Sequence, residues 1–499
     1  VRWLSSAAAA LSCLAVASTA HATLPQEGEP LRSNDYSIDL YQGPVLSAIR
    51  VIALGGAFVA IADGVEGSAM NPAAAAVRFP FSYQHFDYDV GAGITFPSAI
   101  NNTDFWNSGR PTRLPKSKSL NFVFLNVALD LQVGAWGFGL ASDFQRYSLL
   151  RAEDPTLERQ RDRLEAQIAI GHLHLAHAFA DGQLLIGVGS RTSGLSISNE
   201  NDPTLADREL FSTAGAGLEA GFIWKPTDWQ IRIGGAYHAG FTTEASPESE
   251  VFVIYEDDPV NRLYLPERVA LPWDVMIGFA AQLGPRPLNP RWINPDEVLE
   301  STRRYLDFRQ RERERLLRRA EVTPQGPFET WVEREKRVRD LRRELARQRE
   351  QDLQELAQLE SDLVRRLRAR YRAMPRFRVL VTTQLVLTGP TKNAVGIESM
   401  LNRTVQRAGE TLTASPHLGL ETEAIPHWLK LRAGTYLEPT RFRSNNKGAR
   451  LHATFGFEQK LFPWTVFGLL AEGTEWRVSA SVDASRNYLG WGTGLGLWR

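Results

Sequence analysis

Cysteine is all but missing from this 499-residue chain, whose single copy is Cys13. Cys13 lies within the apolar start of the chain, so a processed form would carry no thiol. That excludes a disulfide framework. Net charge is missing as well, with 57 Lys and Arg against 57 Asp and Glu. No electrostatic argument therefore favours nucleic acid or an anionic surface as partner. After residue 22 no stretch approaches the roughly 18 uninterrupted apolar residues of a membrane helix. What remains, 43% hydrophobic and 23% charged, looks like an ordinary globular protein. It is also what a membrane barrel looks like, because half of each strand faces a polar lumen.

The first 22 residues read as a secretory signal peptide: Val1-Arg2 is a short basic start, 7–17 an apolar core, and Ala20-His21-Ala22 a small-x-small cleavage site. The leading Val reads as a non-AUG start. A lipoprotein reading of Ser12-Cys13 is set aside because the apolar run before it is too short.

The clearest pattern is a repeated unit of two alternating arms, a tight turn and a long polar loop. Between Phe211 and Trp224, Ala214, Ala216, Leu218, Ala220, Phe222 and Trp224 share one face, and Thr213, Gly215, Gly217 and Glu219 the other. After the turn Lys225-Pro226-Thr227-Asp228, Trp229, Ile231, Ile233, Gly235, Tyr237, Ala239 and Phe241 share a face opposite Gln230, Arg232, Gly234, His238 and Thr242. Strand side chains alternate between faces, so each arm is apolar on one side and small or polar on the other. Arms of this length with Trp beside the turn suit strands crossing a bilayer between aromatic girdles. Further arms are expected at 119–131, 134–147, 164–179, 183–197, 229–243, 269–284, 376–388, 412–424, 428–438, 449–460, 475–483 and 488–498. With the segment from Phe81 onward, the expected fold class is an all-β membrane protein, an antiparallel transmembrane β-barrel of about 14 strands, with 12 or 16 as the alternatives.

Connections alternate between short turns and long loops. The short ones lie near 132–133, 180–182, 225–228 and 424–427, and the long ones at 91–117, 148–163, 198–209, 244–268 and 389–411. In outer-membrane barrels short turns are periplasmic and long loops extracellular. Trp136, Trp224, Trp229 and Trp428 sit beside short turns, as a periplasmic girdle would.

One block breaks the pattern. Residues 296–374 are rich in Arg, Glu, Leu and Gln and almost devoid of Gly, a helical composition. Pro295-Asp296-Glu297 marks a start, Pro324-Gln325-Gly326-Pro327 a break, and Met374-Pro375 an end. A helix over 328–373 would be roughly 70 Å long. Its stripe Val338, Leu341, Leu345, Leu353, Leu356, Leu359, Leu363 and Leu367 has near-heptad spacing. Val298, Leu299, Tyr305, Leu306, Leu316 and Leu317 of the first helix can cover it, or it can dock a periplasmic protein on 296–374. The block occupies a short-turn slot, which predicts that the hairpin projects into the periplasm. The expected organisation is a signal peptide (1–22), an N-terminal plug (23–80), barrel (81–288), helical insertion (289–375) and barrel again (376–499).

Before the barrel, Ala53-Leu54-Gly55-Gly56-Ala57-Phe58-Val59-Ala60-Ile61-Ala62-Asp63 is followed by Asn71-Pro72-Ala73. This Gly/Ala-rich segment, acidic residue and Asn-Pro-Ala turn resemble the FadL-type family of outer-membrane transporters and their type IX secretion barrel relatives. The resemblance implies a 14-stranded barrel with an N-terminal plug whose motif is Gly55, Gly56, Asp63, Asn71, Pro72 and Ala73. It also implies passive uptake of hydrophobic or amphipathic small molecules such as long-chain fatty acids or aromatic hydrocarbons, in outer-membrane lipid and without enzymatic activity. The alternative is a structural or secretion-associated barrel. The long helices and the terminal Arg499 depart from the family pattern. Physically, small residues let a backbone pack closely inside a barrel, and Asn-Pro favours a tight turn.

Arg191, Arg232 and Arg432 fall on polar faces, with His238 further along one of them; facing the lumen, they are candidate contacts for an anionic ligand, or they pair with carboxylates such as Glu219 or Asp143. His172 and His174 share a face at metal-chelating spacing, but no third ligand is evident, so no metal and no cofactor is expected. Gly187-x-Gly189 and Gly389-Pro390-Thr391-Lys392 superficially resemble phosphate loops, yet neither opens a helix after a buried strand. No compact motif supports a membrane hydrolase.

Overall fold

The computed structural model describes residues 24–79, 82, 84–97, 99–100, 103–110, 122–150, 163–199, 209–247, 252–255, 258–323, 326–426, 428–445, 448–461 and 475–498. The signal-peptide reading of 1–22 and parts of several expected loops lie outside these residues.

Fourteen antiparallel strands close into a barrel. In chain order they are β1 (Phe86–Phe96), β2 (Phe122–Val133), β3 (Trp136–Leu150), β4 (Arg163–Phe179), β5 (Leu184–Asn199), β6 (Glu209–Trp224), β7 (Ile231–His238), β8 (Asp274–Leu283), β9 (Val379–Thr388), β10 (Thr413–Ile425), β11 (Leu429–Glu438), β12 (Arg450–Lys460), β13 (Glu475–Ser485) and β14 (Tyr488–Trp498). Each pairs with its sequence neighbours, β6 joins β7 from Glu219↔His238 to Trp224↔Ile233, and β1 closes on β14 from Asp89↔Trp498 to Phe96↔Trp491. The faces follow the alternation. On β6, Ala214, Ala216, Leu218, Ala220 and Phe222 are exposed while Glu219, Gly221 and Ile223 point in. Exposed Leu140, Leu173, Val188, Leu218, Ile277, Leu420, Phe455 and Leu495 continue an apolar outer band, with Trp136, Phe179, Trp229 and Trp428 exposed at the short-turn rim. Such a surface is stable only against lipid. No helix among the described residues is long and apolar enough to cross a membrane.

Three details differ from the sequence reading. β1 extends to Phe96, so residues 91–96 are wall and not loop. The expected arms 229–243 and 269–284 are shortened because their outer ends leave the wall. Phe241–Glu244 and Arg268–Leu271 instead join Ser37–Asp39 and Ala394–Val395 in a four-stranded sheet across the long-loop mouth. The connection 461–474, on the short-turn side, is long as well.

From this mouth sheet the chain descends through the lumen and leaves beside the short-turn rim, where Phe86 pairs with Val133. On the way it forms α1 (Ile49–Ala53) and a 3₁₀ turn at Pro72–Ala76, all buried. Val51, Leu54, Phe58 and Ile61 pack with Ala280 and Leu380 of the wall, and Ala73–Val77 with Ala176, Leu185 and Ile223. Burial of those first four side chains is worth up to about 1.5–3 kcal/mol each.

The helical block is a hairpin of α2 (Pro295–Val322) and α3 (Trp331–Ala373). Asn294 caps α2 by accepting from the Asp296 amide, and Thr330 forms a capping box with Glu333. The helices run antiparallel. Arg303–Glu360, Arg313–Asp352 and Arg342–Glu321 bridge them along their length. Leu341, Leu345, Leu356, Leu359, Leu363 and Leu367 are half-buried in this pairing, whereas Leu353 stays exposed. Of the first-helix residues expected to cover the stripe, Leu299, Leu306 and Leu317 are buried or half-buried, whereas Val298, Tyr305 and Leu316 are exposed, so the stripe is covered only in part from within the chain. At its base, Arg286 donates to Tyr371 Oη (3.2 Å).

Candidate functional site

Inward positions along β4 show how the lumen is layered. Ile168 and Ile170 lie towards the mouth, His172 and His174 come next, and Ala176 touches the plug.

The outermost layer is an apolar pocket. Leu40, Phe105, Trp106, Ile168, Ile170, Leu271 and Ile397 line it together with Tyr41, Gln42, Gln145 and Tyr147. Phe105, Trp106 and Tyr147 form its aromatic side, with Trp106 and Tyr147 edge-on at 5.3 Å and Phe122 packed against Phe105 and Tyr147. Tyr147 is 1% exposed, yet its hydroxyl makes no hydrogen bond, and neither does Gln42 Nε2. Buried polar groups are normally paired, so these two mark where a polar atom of a ligand would be received. Burial, aided by the Glu438 carboxylate and opposed by Arg441, holds the Tyr41 phenol above its ordinary pKa. The pocket was not legible in the sequence, because its walls come from the mouth segments at 40–42, 105–106 and 397 as well as from strands.

The second layer is ionic, and the four candidate ligand contacts lie here or beside the plug. Arg191 donates to Asp274 (3.0 Å) and to the Ala239 carbonyl, and His238 Nδ1 to Asp274 (2.8 Å). Arg232 is spread over Asn289 Oδ1 and the Ile61 and Leu288 carbonyls at 2.7–3.1 Å, tying plug to wall. Arg432 joins Glu421 and Glu458. Arg191, His238 and Arg432 thus each hold a carboxylate, whereas Arg232 is held by an amide oxygen and two backbone carbonyls. Glu219, on the facing position of β6, accepts from both His172 and His174. A third ligating group next to that pair was missed because only the strand order brings it there.

The innermost layer is the plug. Gly55 and Gly56 adopt φ of +61° and +80°, which favours glycine. Asn71 is fully buried; its Oδ1 accepts from the Ala73 amide (3.0 Å) while Nδ2 donates to the carbonyls of Val59 (2.9 Å) and Phe222 (3.2 Å). Pro72 opens the 3₁₀ turn that follows. Asp63 pairs with Arg50, which also reaches Glu421 Oε2 at 3.0 Å. Opposite the plug backbone the wall is glycine: a Cβ at Gly137, Gly187, Gly221, Gly234 or Gly434 would collide with Ala75, Pro72, Asn71, Val59 or Gly55. This belt of missing side chains is the socket of the plug. Below it a charged vestibule, edged by Arg78, Arg286, Lys460 and Glu475, opens beside the hairpin.

No family model matches the chain, and no curated protein does. Among solved structures it is similar to the toluene transporter TodX of P. putida, with 11% identity over 91% of this chain and 98% of that one and a TM-score of 0.45. It is similar to the Ralstonia pickettii toluene transporter TbuX at 10% identity, 91% and 97% coverage and a TM-score of 0.44. The monoaromatic hydrocarbon channel CymD follows at 10% identity, 92% and 96% coverage and a TM-score of 0.41.

Proposed function

We propose that this chain is a passive outer-membrane channel for small hydrophobic molecules. The observation that carries the reading is the aromatic pocket at the mouth of a plugged barrel, with the unpartnered Tyr147 hydroxyl and Gln42 amide as its polar points. Among the described residues no lining side chain of that pocket is cationic. This favours neutral or weakly polar molecules over a fatty-acid carboxylate. Substrate would settle in the pocket, displace the plug and leave through the vestibule; no enzymatic step is involved. The exterior apolar band and the signal-peptide reading support an outer-membrane location.

Labelled toluene and labelled oleate given to wild-type and deletion cells test this. Toluene accumulation should fall at least tenfold on deletion, and Ile168→Trp, which fills the pocket, should fall towards the same level. An unchanged toluene rate in the deletion strain refutes the proposal.

The hairpin is placed in the periplasm on this reading. An epitope inserted at Gly326 should be invisible to antibody on intact cells and visible after the outer membrane is permeabilised; labelling of intact cells reverses the topology. One observation favours a second role: Val322, Phe328, Trp331 and Val332 crowd the hairpin tip, each more than two-thirds exposed. Such a patch fits docking of a periplasmic protein. Cysteines at the tip should then cross-link to a partner, and adduct-free tips count against it.

A further inference from the structure

Between the apolar pocket and the plug, β4, β6 and β7 bring three imidazoles round one carboxylate. His172 Nδ1 lies 2.9 Å from Glu219 Oε1 and His174 Nε2 lies 2.7 Å from Glu219 Oε2. One ligand atom from each of these three residues falls within 4.8 Å of the others. His238 Nε2 stands 3.9 Å from Glu219 Oε1. All four side chains are at least 95% buried.

His238 supplies an independent indication. Its Nδ1 donates to Asp274 at 2.8 Å, which leaves the lone pair of the neutral ring on Nε2. That Nε2 is buried, is directed at Glu219 and makes no hydrogen bond. A carboxylate holding the far nitrogen of an imidazole is the usual support of a metal-binding histidine. His452, on the opposite wall, shows the contrast: its two nitrogens are taken by Glu438 (2.7 Å) and Asp483 (2.8 Å), and it has nothing left to offer. Charge points the same way. Glu219, Asp274 and Asp143 face the cluster, Asp143 being held by Asn126, with Arg191 as the guanidinium among them. With neutral imidazoles, that excess of carboxylate suits a divalent cation.

We propose that His172, His174 and Glu219, with His238 as fourth ligand, form a binding site for a divalent transition metal of the zinc type. Imidazole nitrogen with carboxylate oxygen is a donor set that zinc accepts in tetrahedral geometry, at about 2.0–2.2 Å per bond. Ligand atoms then stand about 3.3 Å apart. Glu219 would offer one oxygen, Oε1, so that its contact with His172 opens slightly, its contact with His238 closes slightly and His174 turns from Oε2 to the ion. At His172 and His174 the proton on the nitrogen facing Glu219 moves to the other ring nitrogen, and at His238 any proton on Nε2 is released to solvent while the Nδ1–H bond to Asp274 is kept. The ion would link three neighbouring wall strands at the floor of the pocket. This inference is independent of the uptake reading.

The test uses the full-length barrel in detergent, stripped by chelation and titrated with cobalt(II) chloride. One equivalent should bind with the intense visible bands of four-coordinate cobalt, and zinc chloride should displace it. His174→Gln and Glu219→Gln should abolish the bands, and His238→Gln should weaken affinity at least tenfold. Each variant is first checked for the slower migration on boiling that a folded barrel shows in gels. Absence of a saturable band in the native chain overturns the proposal whatever the variants do. Equal affinity in native and His174→Gln protein overturns it as well.

Discussion

A barrel carrying Glu421→Ala should conduct ions several-fold better in planar bilayers than the native barrel. Glu421 is fully buried on β10 and is where plug and wall share charge. It accepts from Arg50 Nε of the plug (3.0 Å), from Arg432 Nε of β11 (2.7 Å) and from Arg378 Nη2 beside β9 (3.0 Å). Removing one member of a buried ion cluster costs about 3–5 kcal/mol, because the remaining charges lose compensation in a poorly solvating medium. The structure decides where that cost falls. Arg432 is fixed within the strand ladder, and Arg378 stands at its edge, one residue before β9. Arg50 sits on a five-residue helix held by packing, so the plug is the part free to shift. Glu421→Gln, which keeps an acceptor, should give an intermediate conductance. Native conductance together with native thermal stability in Glu421→Ala would show that the cluster does not hold the plug.

Gly221→Val should release the plug by shape instead of charge. Any Cβ at this position would meet Asn71 Oδ1, with Pro72 Cδ 3.0 Å away. Asn71 cannot yield cheaply, since its amide serves Ala73, Val59 and Phe222 at once. Overpacking of this kind costs about 1–3 kcal/mol, and each hydrogen bond forfeited by a buried group adds about 1 kcal/mol or more. Amides of residues 57–79 should therefore exchange with deuterium ten- to several-hundred-fold faster, while strand amides keep their protection. Gly194→Ala on β5 is the control, because a Cβ there finds only ordinary contact with the Thr213 carbonyl at 3.4 Å. If residues 57–79 stay protected in Gly221→Val, the glycine socket is not what seats the plug.

The wall was legible because its physics is local. Alternation at 211–224 already separates a lipid face from a lumen face, and the composition of 296–374 already requires helices with ends at Pro295 and Met374. Asn71-Pro72 announced a turn for the same reason, since one side chain and one ring decide it. What escaped depends on strand order and on distant pairing. Ser37–Asp39 is three residues long and owes its conformation to Arg268–Ala270 and Ala394–Val395, more than two hundred residues away. No periodicity can show in three residues. Glu219 was visible as a lumen carboxylate, but its place between His172 and His174 follows from β6 standing two strands from β4 and reaching past the glycines of β5. The inward glycines looked like weak strand formers, and their purpose emerges only once a backbone is found against them.

The seam between β1 and β14 has a consequence for biogenesis. Asp89 pairs with Trp498, so the cylinder cannot be sealed until nearly the whole polypeptide has been delivered. Residues 49–79 precede every strand of the wall, and all of them must be enclosed rather than threaded in afterwards. The unsealed sheet has to curl around a stopper that is already present, which makes the stopper a mandrel for its own container.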